Sequence, residues 1–404
     1  MVAEAQVRGA IGRPNMWLIS SGLGLYVLLM YGIAYYAVTT AAPRIAAEFS
    51  IPVSTIFAMF SAALLSTALL APLYGRWMDQ FGAARILLIG AILRSTALAL
   101  MALAPNLFLF AIAFLVVQLL SQITEYDAAF ASAVDIAGEQ ARAAISGITL
   151  WGGVASTIFW PATSFLIGEL GWRVMMLAYA GLMLVVCVTI AAWLGTIPRR
   201  RSLVGRSDTV ASTDRPSRAP TWRLDRRFVV LAAAFAFGGI AANLPALMLP
   251  VLEGLGLGAT AIVAGMVFGP SQTAGRLFEM LFGTKMHAVR VGIIASTVVA
   301  GSLAILLVGN SAWIGLLFAV MFGAGVGVSY VVRGSVVLAL YGTSDYATWL
   351  GRLGRVRLVV SAFAPFVLAA VMDIYGAWYV VAFCAIAASL SLGFFVWLAR
   401  LAKD

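Results

Sequence analysis

Four arginines lie within stretches of sequence that are otherwise apolar enough to cross a lipid bilayer: Arg94, Arg276, Arg333 and Arg357. A charge at the bilayer centre costs at least about 2.5 to 3.5 kcal/mol, so each of them must face protein, water or a partner. The guanidinium group is always charged, and its planar fork of donors matches a carboxylate or a phosphate. Arg276 and Arg357 therefore predict a buried site for a small anion. The alternatives are a structural ion pair at Arg276 and, for Arg357, a place at the membrane surface in a cluster with Arg352 and Arg355.

Acidic residues are fewer in the same stretches, and they include Glu125 and Asp127. These two are roughly 200° apart around an α-helix, so only one of them is expected to face a central cavity. We expect it to be Asp127, which would pair with an arginine in the absence of the anion and be protonated or displaced when the anion arrives. A structural salt bridge from Asp127 to Arg94 or Arg142 is the alternative.

Other charged residues within these stretches are expected to serve gating, proton coupling or structure. Glu279 follows Arg276 by three residues, and this spacing suits an ion pair along one helix. Such a pair is the alternative to an anion at Arg276. We place Arg94, Arg333 and Glu125 in the same group as Glu279.

Uncharged polar side chains accompany the arginines. Tyr31 and Tyr35 share a helix face because they are four residues apart, and they lie mid-span rather than at the interface where membrane tyrosines are typical. Gln272 lies one turn before Arg276 on the same face. Their hydroxyl and amide groups can donate to an anion, so we expect all three to line a cavity.

The amino-acid composition indicates that the folded chain is surrounded by lipid rather than by water. Of the 404 residues, 63% are hydrophobic and 10% are charged, which is unlike a soluble globular protein. A bilayer core of about 30 Å needs roughly 20 mainly apolar residues per helical span. We predict an all-α membrane protein of twelve spans, the first of them retained rather than cleaved as a signal peptide. The expected spans are 17–41, 53–75, 84–104, 106–133, 143–168, 173–196, 227–250, 259–283, 288–308, 312–341, 350–373 and 376–400.

One long polar stretch, rich in Arg, Ser and Pro, divides the chain in two. It predicts a short tail (1–16), a first half (17–196), a linker (197–226) and a second half (227–404). Most of the 26 Lys and Arg residues fall on the side that holds both ends and the linker, which indicates that both termini are cytoplasmic in an inner membrane. The net charge of +10 fits that bias and anionic lipid headgroups rather than a nucleic acid.

Several chemistries find no support in the sequence. Cys187 and Cys384 lie in apolar spans and His287 lies in a short loop, so no metal site is expected. A phosphate-binding loop of the Walker type is missing, so ATP is not expected to drive the protein. No nucleophile, base and orienting group occur together, and neither a cofactor nor an enzymatic activity is predicted.

The loop after the second span reads "GRWMDQFGAAR", residues 75–85, with Gly75, Asp79, Gly82 and Arg85. It resembles the loop motif G-x-x-x-D-R/K-x-G-R/K-R/K of the major facilitator superfamily. This resemblance covers nearly the whole chain. It implies two pseudo-symmetric six-helix bundles around a central cavity that opens alternately to either side.

Two later segments, "GPSQTAGRLF" (269–278) and the stretch 341–378, are similar to the oxalate/formate antiporter and more loosely to the monocarboxylate transporters. The resemblance implies that Arg276 and Arg357 hold the anion. It also implies that tyrosines line the cavity and that a tryptophan stands near the place of a fifth-helix tyrosine. The residues concerned are Tyr35, Tyr126, Tyr330 and Trp151.

These observations predict a secondary transporter of a small organic anion of the carboxylate type, working as a monomer with protons or a counter-anion. Arginine replaces the antiporter's lysine at Arg357, so oxalate itself is not assigned. The alternative is a proton-coupled exporter of drugs or of metalloid conjugates. A membrane enzyme or a receptor on the same scaffold is the alternative from another class.

Overall fold

The computed structural model describes residues 15–199, 225–309 and 311–401, which are helical apart from short turns. Most of the expected tail (1–16) and linker (197–226) lies outside the described residues. The helices follow the order predicted for an all-α membrane protein. They are α1 Met16–Glu48, α2 Val53–Phe81, α3 Ala83–Leu103, α4 Leu107–Leu119 with Ser121–Ala137, α5 and α6 within Ala141–Thr196, α7 Arg226–Gly254, α8 Gly258–Phe282, α9 Ala288–Val308, α10 Ala312–Tyr341, α11 Tyr346–Tyr375 and α12 Ala377–Leu401.

The stretch Ala141–Thr196 is two helices rather than one. Gly171, at φ 74° and ψ 161°, interrupts it with a conformation that glycine adopts easily. The hydroxyl groups of Thr163 and Tyr179, equally far along the chain from Gly171, lie 3.2 Å apart. The chain therefore doubles back at Gly171, which separates α5 from α6.

Length and hydropathy identify nine membrane-spanning candidates among the described residues, or ten when the bent α4 counts as one span. The division at Gly171 and the addition of α8 make the arrangement consistent with twelve spans. We call the end at which α6 ends and α7 begins the linker side; the turns after α2, α4, α8 and α10 lie there too. Helices α1 to α6 form the first half and α7 to α12 the second half.

Two helices of the first half are irregular where they approach the centre. In α1, residues Gly32–Ala37 form a π-helix, a feature frequent at functional sites. The helix α4 bends by 48° between Leu107–Leu119 and Ser121–Ala137, and Glu125 within its second part is extended (φ −114°, ψ −150°). The expected span 106–133 thus corresponds to a bent helix that is interrupted at Leu120 and again at Glu125.

Close helix contacts depend on glycine at two interfaces. Between α2 and α11, a Cβ atom on Gly75 or Gly351 would collide with the main chain of the opposite helix. Between α8 and α10, a Cβ atom on Gly275 or Gly327 would do the same. Small residues let membrane helices approach closely enough for extensive van der Waals contact. The α8–α10 contact fixes Arg276 against the helix that carries Tyr330.

Candidate functional site

A buried carboxylate joins the two halves at the centre of the protein. Asp127 on α4 is 3% exposed. Its Oδ1 lies 2.8 Å from a terminal nitrogen of Arg333 on α10, and its Oδ2 lies 3.4 Å from a terminal nitrogen of Arg357 on α11. Gln122 also donates to Oδ2. Asp127 is thus paired across the halves, and the alternative pairing with Arg94 or Arg142 is wrong.

Arg276 lies on α8 and is 2% exposed. Its guanidinium donates to the carbonyl of Thr149 at 2.8 Å, to the carbonyl of Gly327 at 3.3 Å and to the side-chain oxygen of Gln272 at 3.2 Å. The Cζ atom lies 4.8 Å from the ring centroid of Tyr330. These acceptors are neutral, so hydrogen bonds hold the guanidinium in place without cancelling its charge.

Glu279 has partners other than Arg276. Its carboxylate accepts a hydrogen bond of 2.7 Å from Ser146 on α5 and lies 3.8 Å from the guanidinium of Arg142. The alternative in which Glu279 neutralises Arg276 along α8 is therefore wrong. The side chain points instead towards the linker side of the first half.

Tyrosine rings connect the first half to the arginines. The ring centroid of Tyr330 lies 5.8 Å from that of Tyr126, which lies 5.9 Å from that of Tyr31. Tyr31 and Tyr35 stack at 5.2 Å, in agreement with the face that their spacing predicts. Four predicted cavity tyrosines are thus brought together. Trp151, by contrast, packs against Gly24 of α1.

The second carboxylate of α4 has a different role. Glu125 lies 2.7 Å from Arg94 of α3, in the same half. Arg94 is fully buried and also donates to the carbonyl of Val117 and the hydroxyl of Thr124. This network supports the break in α4, because it gives hydrogen-bond partners to groups beside the interruption. Arg94 and Glu125 are in this way a structural pair.

The linker side is closed by contacts between the halves. The carboxylate of Asp79 accepts from the main-chain N–H groups of Ala347 and Thr348, at 3.4 and 2.7 Å, at the start of α11. A negative charge is favourable at a helix N-terminus. Arg142 donates to the carbonyls of Gly283 and Met286 beyond the end of α8, where a positive charge is favourable.

The remaining residues of the predicted loop motif shape the same side. Gly82 has φ 101° and forms the sharp turn between α2 and α3. Arg85 lines a cavity there, together with Asp135 and Arg199, whose side chains are 2.9 Å apart. Gly75 provides the close contact with α11, so Gly75 and Asp79 are the motif residues that hold the two halves together at this end.

Sequence reasoning did not select some contributors to the central site. Thr149 offers a main-chain carbonyl, for which no side-chain pattern is diagnostic. On the linker side, Ser146 is a polar residue in an apolar helix, and its polarity is the signal that could have found it.

The charges of the central site do not balance. Three buried or half-buried arginines face it, namely Arg276, Arg333 and Arg357. Asp127 pairs with Arg333 and Arg357, whereas neutral acceptors hold Arg276. Within the described part of the chain, the Nε atoms of Arg333 and Arg357 are buried and lack a hydrogen-bond acceptor. Buried donors without acceptors are unfavourable. The arrangement can bind a negatively charged group that supplies the missing acceptor atoms.

Comparison with known proteins assigns the class. The family model of the Major Facilitator Superfamily matches residues 24–348. The chain belongs to this superfamily, and it is a multi-pass membrane protein that carries out secondary transport of small substrates and not an enzyme. No curated protein matches the sequence.

Solved structures agree in fold. The human organic anion transporter MFSD10 (TETRAN) is 16% identical, with a TM-score of 0.69, and the match covers 95% of this chain and 100% of that one. The proton:xylose symporter XylE, bound to 6-bromo-6-deoxy-D-glucose, is 12% identical with a TM-score of 0.73 and 94% of each chain covered. The transporter FucP, in the outward conformation, is 11% identical with a TM-score of 0.74, covering 95% of this chain and 99% of that one.

Proposed function

We propose that this transporter carries a small organic anion of the carboxylate type and that Arg276 and Arg357 bind it. The supporting observation is the surplus of buried guanidinium groups over carboxylates around Asp127. A charge-assisted hydrogen bond between guanidinium and carboxylate is among the stronger contacts in proteins, and a second carboxylate would supply acceptors for the unused donors. The neighbour MFSD10 is described as an organic anion transporter, which is consistent with this substrate class.

The proposed role of Asp127 is to occupy the arginines while the substrate is absent. Its contact with Arg357 at 3.4 Å is longer than its contact with Arg333 at 2.8 Å. An arriving carboxylate would therefore take Arg357 first, while Arg333 keeps Asp127 in place. Protonation of Asp127 would free both arginines for the anion and would couple proton movement to anion movement.

Closure of the linker side determines which part of the cycle the structure represents. Asp79, Arg142 and Ser146 bridge to the second half there, as described above. In the proposed orientation, with both termini cytoplasmic in an inner membrane, the linker side faces the cytoplasm, so this state blocks release of the anion there. Opening of the linker side would release the anion, and we propose that the protein works as a monomer.

The test is transport by the purified protein in liposomes. Radiolabelled acetate, lactate and benzoate are offered in counterflow, together with a cationic dye. We expect carboxylate uptake that falls at least tenfold in Arg276→Gln and Arg357→Gln. Arg355→Gln is the matched control, because Arg355 is exposed on the same helix and donates to the carbonyl of Leu69. Uptake of the dye alone, unchanged in both variants, would establish drug export instead.

A further inference from the structure

A cavity of about 150 Å³ lies inside the second half, among helices α7, α9, α10, α11 and α12. Tyr330, Arg333 and Arg357 line it, so it adjoins the central site. It differs from the rest of the site in its position, because its walls come from one half alone. A ligand held by Arg357 can therefore extend into it without crossing the boundary between the halves.

Small residues of two helices line part of the cavity. On α7 they are Gly238, Gly239 and Ala242, and on α9 they are Gly292 and Ala295. A Cβ atom on Gly238 or Gly292 would approach Ser391 or Phe395 within 3 Å, so these two glycines permit close helix contact beside the cavity. Protein interiors are ordinarily close-packed, so a void of this size next to a binding site is unusual.

Most of the polar groups on its wall are already used. Ser329 donates to the carbonyl of Gly325 at 2.9 Å, and Ser391 donates to the carbonyl of Ala234 at 2.8 Å. Asn243 donates to the carbonyl of Gly239 at 2.7 Å. Ser296 and Ser361 also line the cavity, so beyond the two arginines a ligand meets a small number of neutral hydroxyl donors.

Apolar side chains complete the wall, among them Phe235, Val299, Val326 and Phe395. An apolar protein cavity of roughly 150 Å³ is known to accommodate a molecule the size of benzene. A second carboxylate placed among these side chains would lose its hydration and gain neutral hydroxyl donors at most, without a further positive charge. The cavity thus suits an apolar group and disfavours a second charge.

From this we infer that the preferred substrate is an amphipathic monocarboxylate whose ring or branched tail of about six carbons occupies this cavity. The inference rests on the proposed function, because Arg357 must hold the carboxylate. It narrows the range of proposed substrates, because compact dianions and one- or two-carbon acids would leave the cavity unfilled and should bind more weakly. Tail length and volume, rather than charge alone, then determine affinity.

Isothermal titration of the purified protein in nanodiscs with acetate, butanoate, hexanoate, phenylacetate and octanoate tests this inference. Each buried methylene is expected to increase affinity roughly fourfold until the cavity is full. Hexanoate and phenylacetate should bind at least tenfold more tightly than acetate, and octanoate no more tightly than hexanoate.

Ser296→Leu fills the cavity, since Ser296 lines it and is buried. We expect this change to weaken hexanoate and phenylacetate at least tenfold and to leave acetate within a factor of three. Val299→Ala enlarges the cavity and should shift the preference towards octanoate. Thr297→Leu is the matched control, because Thr297 is the exposed neighbour of Ser296 on α9.

Equal affinities for acetate and hexanoate in the wild-type protein would overturn the inference while leaving anion transport intact. The same holds if Ser296→Leu weakened every acid equally. Failure of the proposed function gives a different result: none of the five acids binds, and Arg357→Gln changes no titration.

Discussion

The carboxylate of Asp127 and the guanidinium of Arg333 lie 2.8 Å apart, both are nearly inaccessible to solvent, and they belong to different halves of the protein. An ion pair in this position must break or rearrange whenever the halves move apart at the centre. Replacing one partner of a buried pair leaves the other charge without compensation, which typically costs about 3 to 5 kcal/mol.

Asp127→Asn is therefore expected to lower the thermal stability of the empty protein. The same change removes the internal carboxylate that occupies Arg357, so anion affinity should rise and stability should return when benzoate is added. Melting curves with and without benzoate measure both effects.

Asp135→Asn is the control for this variant. Asp135 is another buried acid of α4, but it pairs with Arg199 within the first half. A loss of stability that benzoate does not restore is expected there. Equal melting temperatures of Asp127→Asn with and without benzoate would show that Asp127 does not occupy the anion site.

Arg276→Lys should abolish most anion binding although it keeps the positive charge. A lysine ammonium lacks the planar fork that joins Thr149, Gly327 and Gln272, so the charge would no longer be held in place. We expect affinity for benzoate to fall at least tenfold in titration calorimetry, with the melting temperature of the empty protein within a few degrees of wild type. Unchanged affinity would mean that Arg276 has a structural role. Arg290→Lys, at an exposed position, is the control.

Ser146→Ala is expected to favour opening of the linker side. The variant loses the hydrogen bond of 2.7 Å to Glu279, which connects α5 to α8. A hydrogen bond to a charged group contributes about 1.5 to 3 kcal/mol, so its loss should change the ratio of closed to open molecules roughly tenfold or more.

Distances between spin labels at Gln140 and Ser344, two exposed positions on the linker side in different halves, report this change. The distribution should gain a longer component in Ser146→Ala. Ser302→Ala is the control, because Ser302 donates within its own helix, to the carbonyl of Val299. Identical distributions in the two variants would contradict a gating role for the bond.

Gly327→Ala should destabilise the second half and weaken the site together. The added methyl group would collide with the main chain of Gln272 and push α8 away from α10. Forced overpacking of this kind costs typically about 1 to 3 kcal/mol, which a melting curve detects. Gly301→Ala is the control, since a Cβ atom there meets open space. Equal melting temperatures for the two variants would show that α8 can shift without loss.

The sequence predicted the helical fold well because long apolar stretches leave few alternatives in a bilayer, where every main-chain polar group must be satisfied internally. Charge and helical spacing identified Arg276, Gln272 and the tyrosines, because residues that share a face of a predicted helix also share that face in the folded protein. The partners of Asp127 and Glu279 could not be found in this way. Both pairs join residues far apart in the chain, and spacing along one helix carries no information about the helix that packs against it.

The irregular positions were missed for a related reason. The break at Glu125 occurs without proline or glycine at that position, so no residue type there indicates a break in the helix. It depends on Arg94, which supplies donors to the groups around the interruption. Helical periodicity within α4 alone predicts a straight helix. It carries no information about Arg94, which comes from α3 and is buried against the interruption.

That interruption has a mechanical consequence. A continuous helix moves as one rigid unit, so a rotation of the part that carries Asp127 would also rotate the lipid-facing part of α4. The extended residue uncouples Leu107–Leu119, which Arg94 anchors through Val117, from the shorter piece that carries the aspartate. The fold thus provides a pivot at which a small swing of one carboxylate need not disturb the outer wall of the protein.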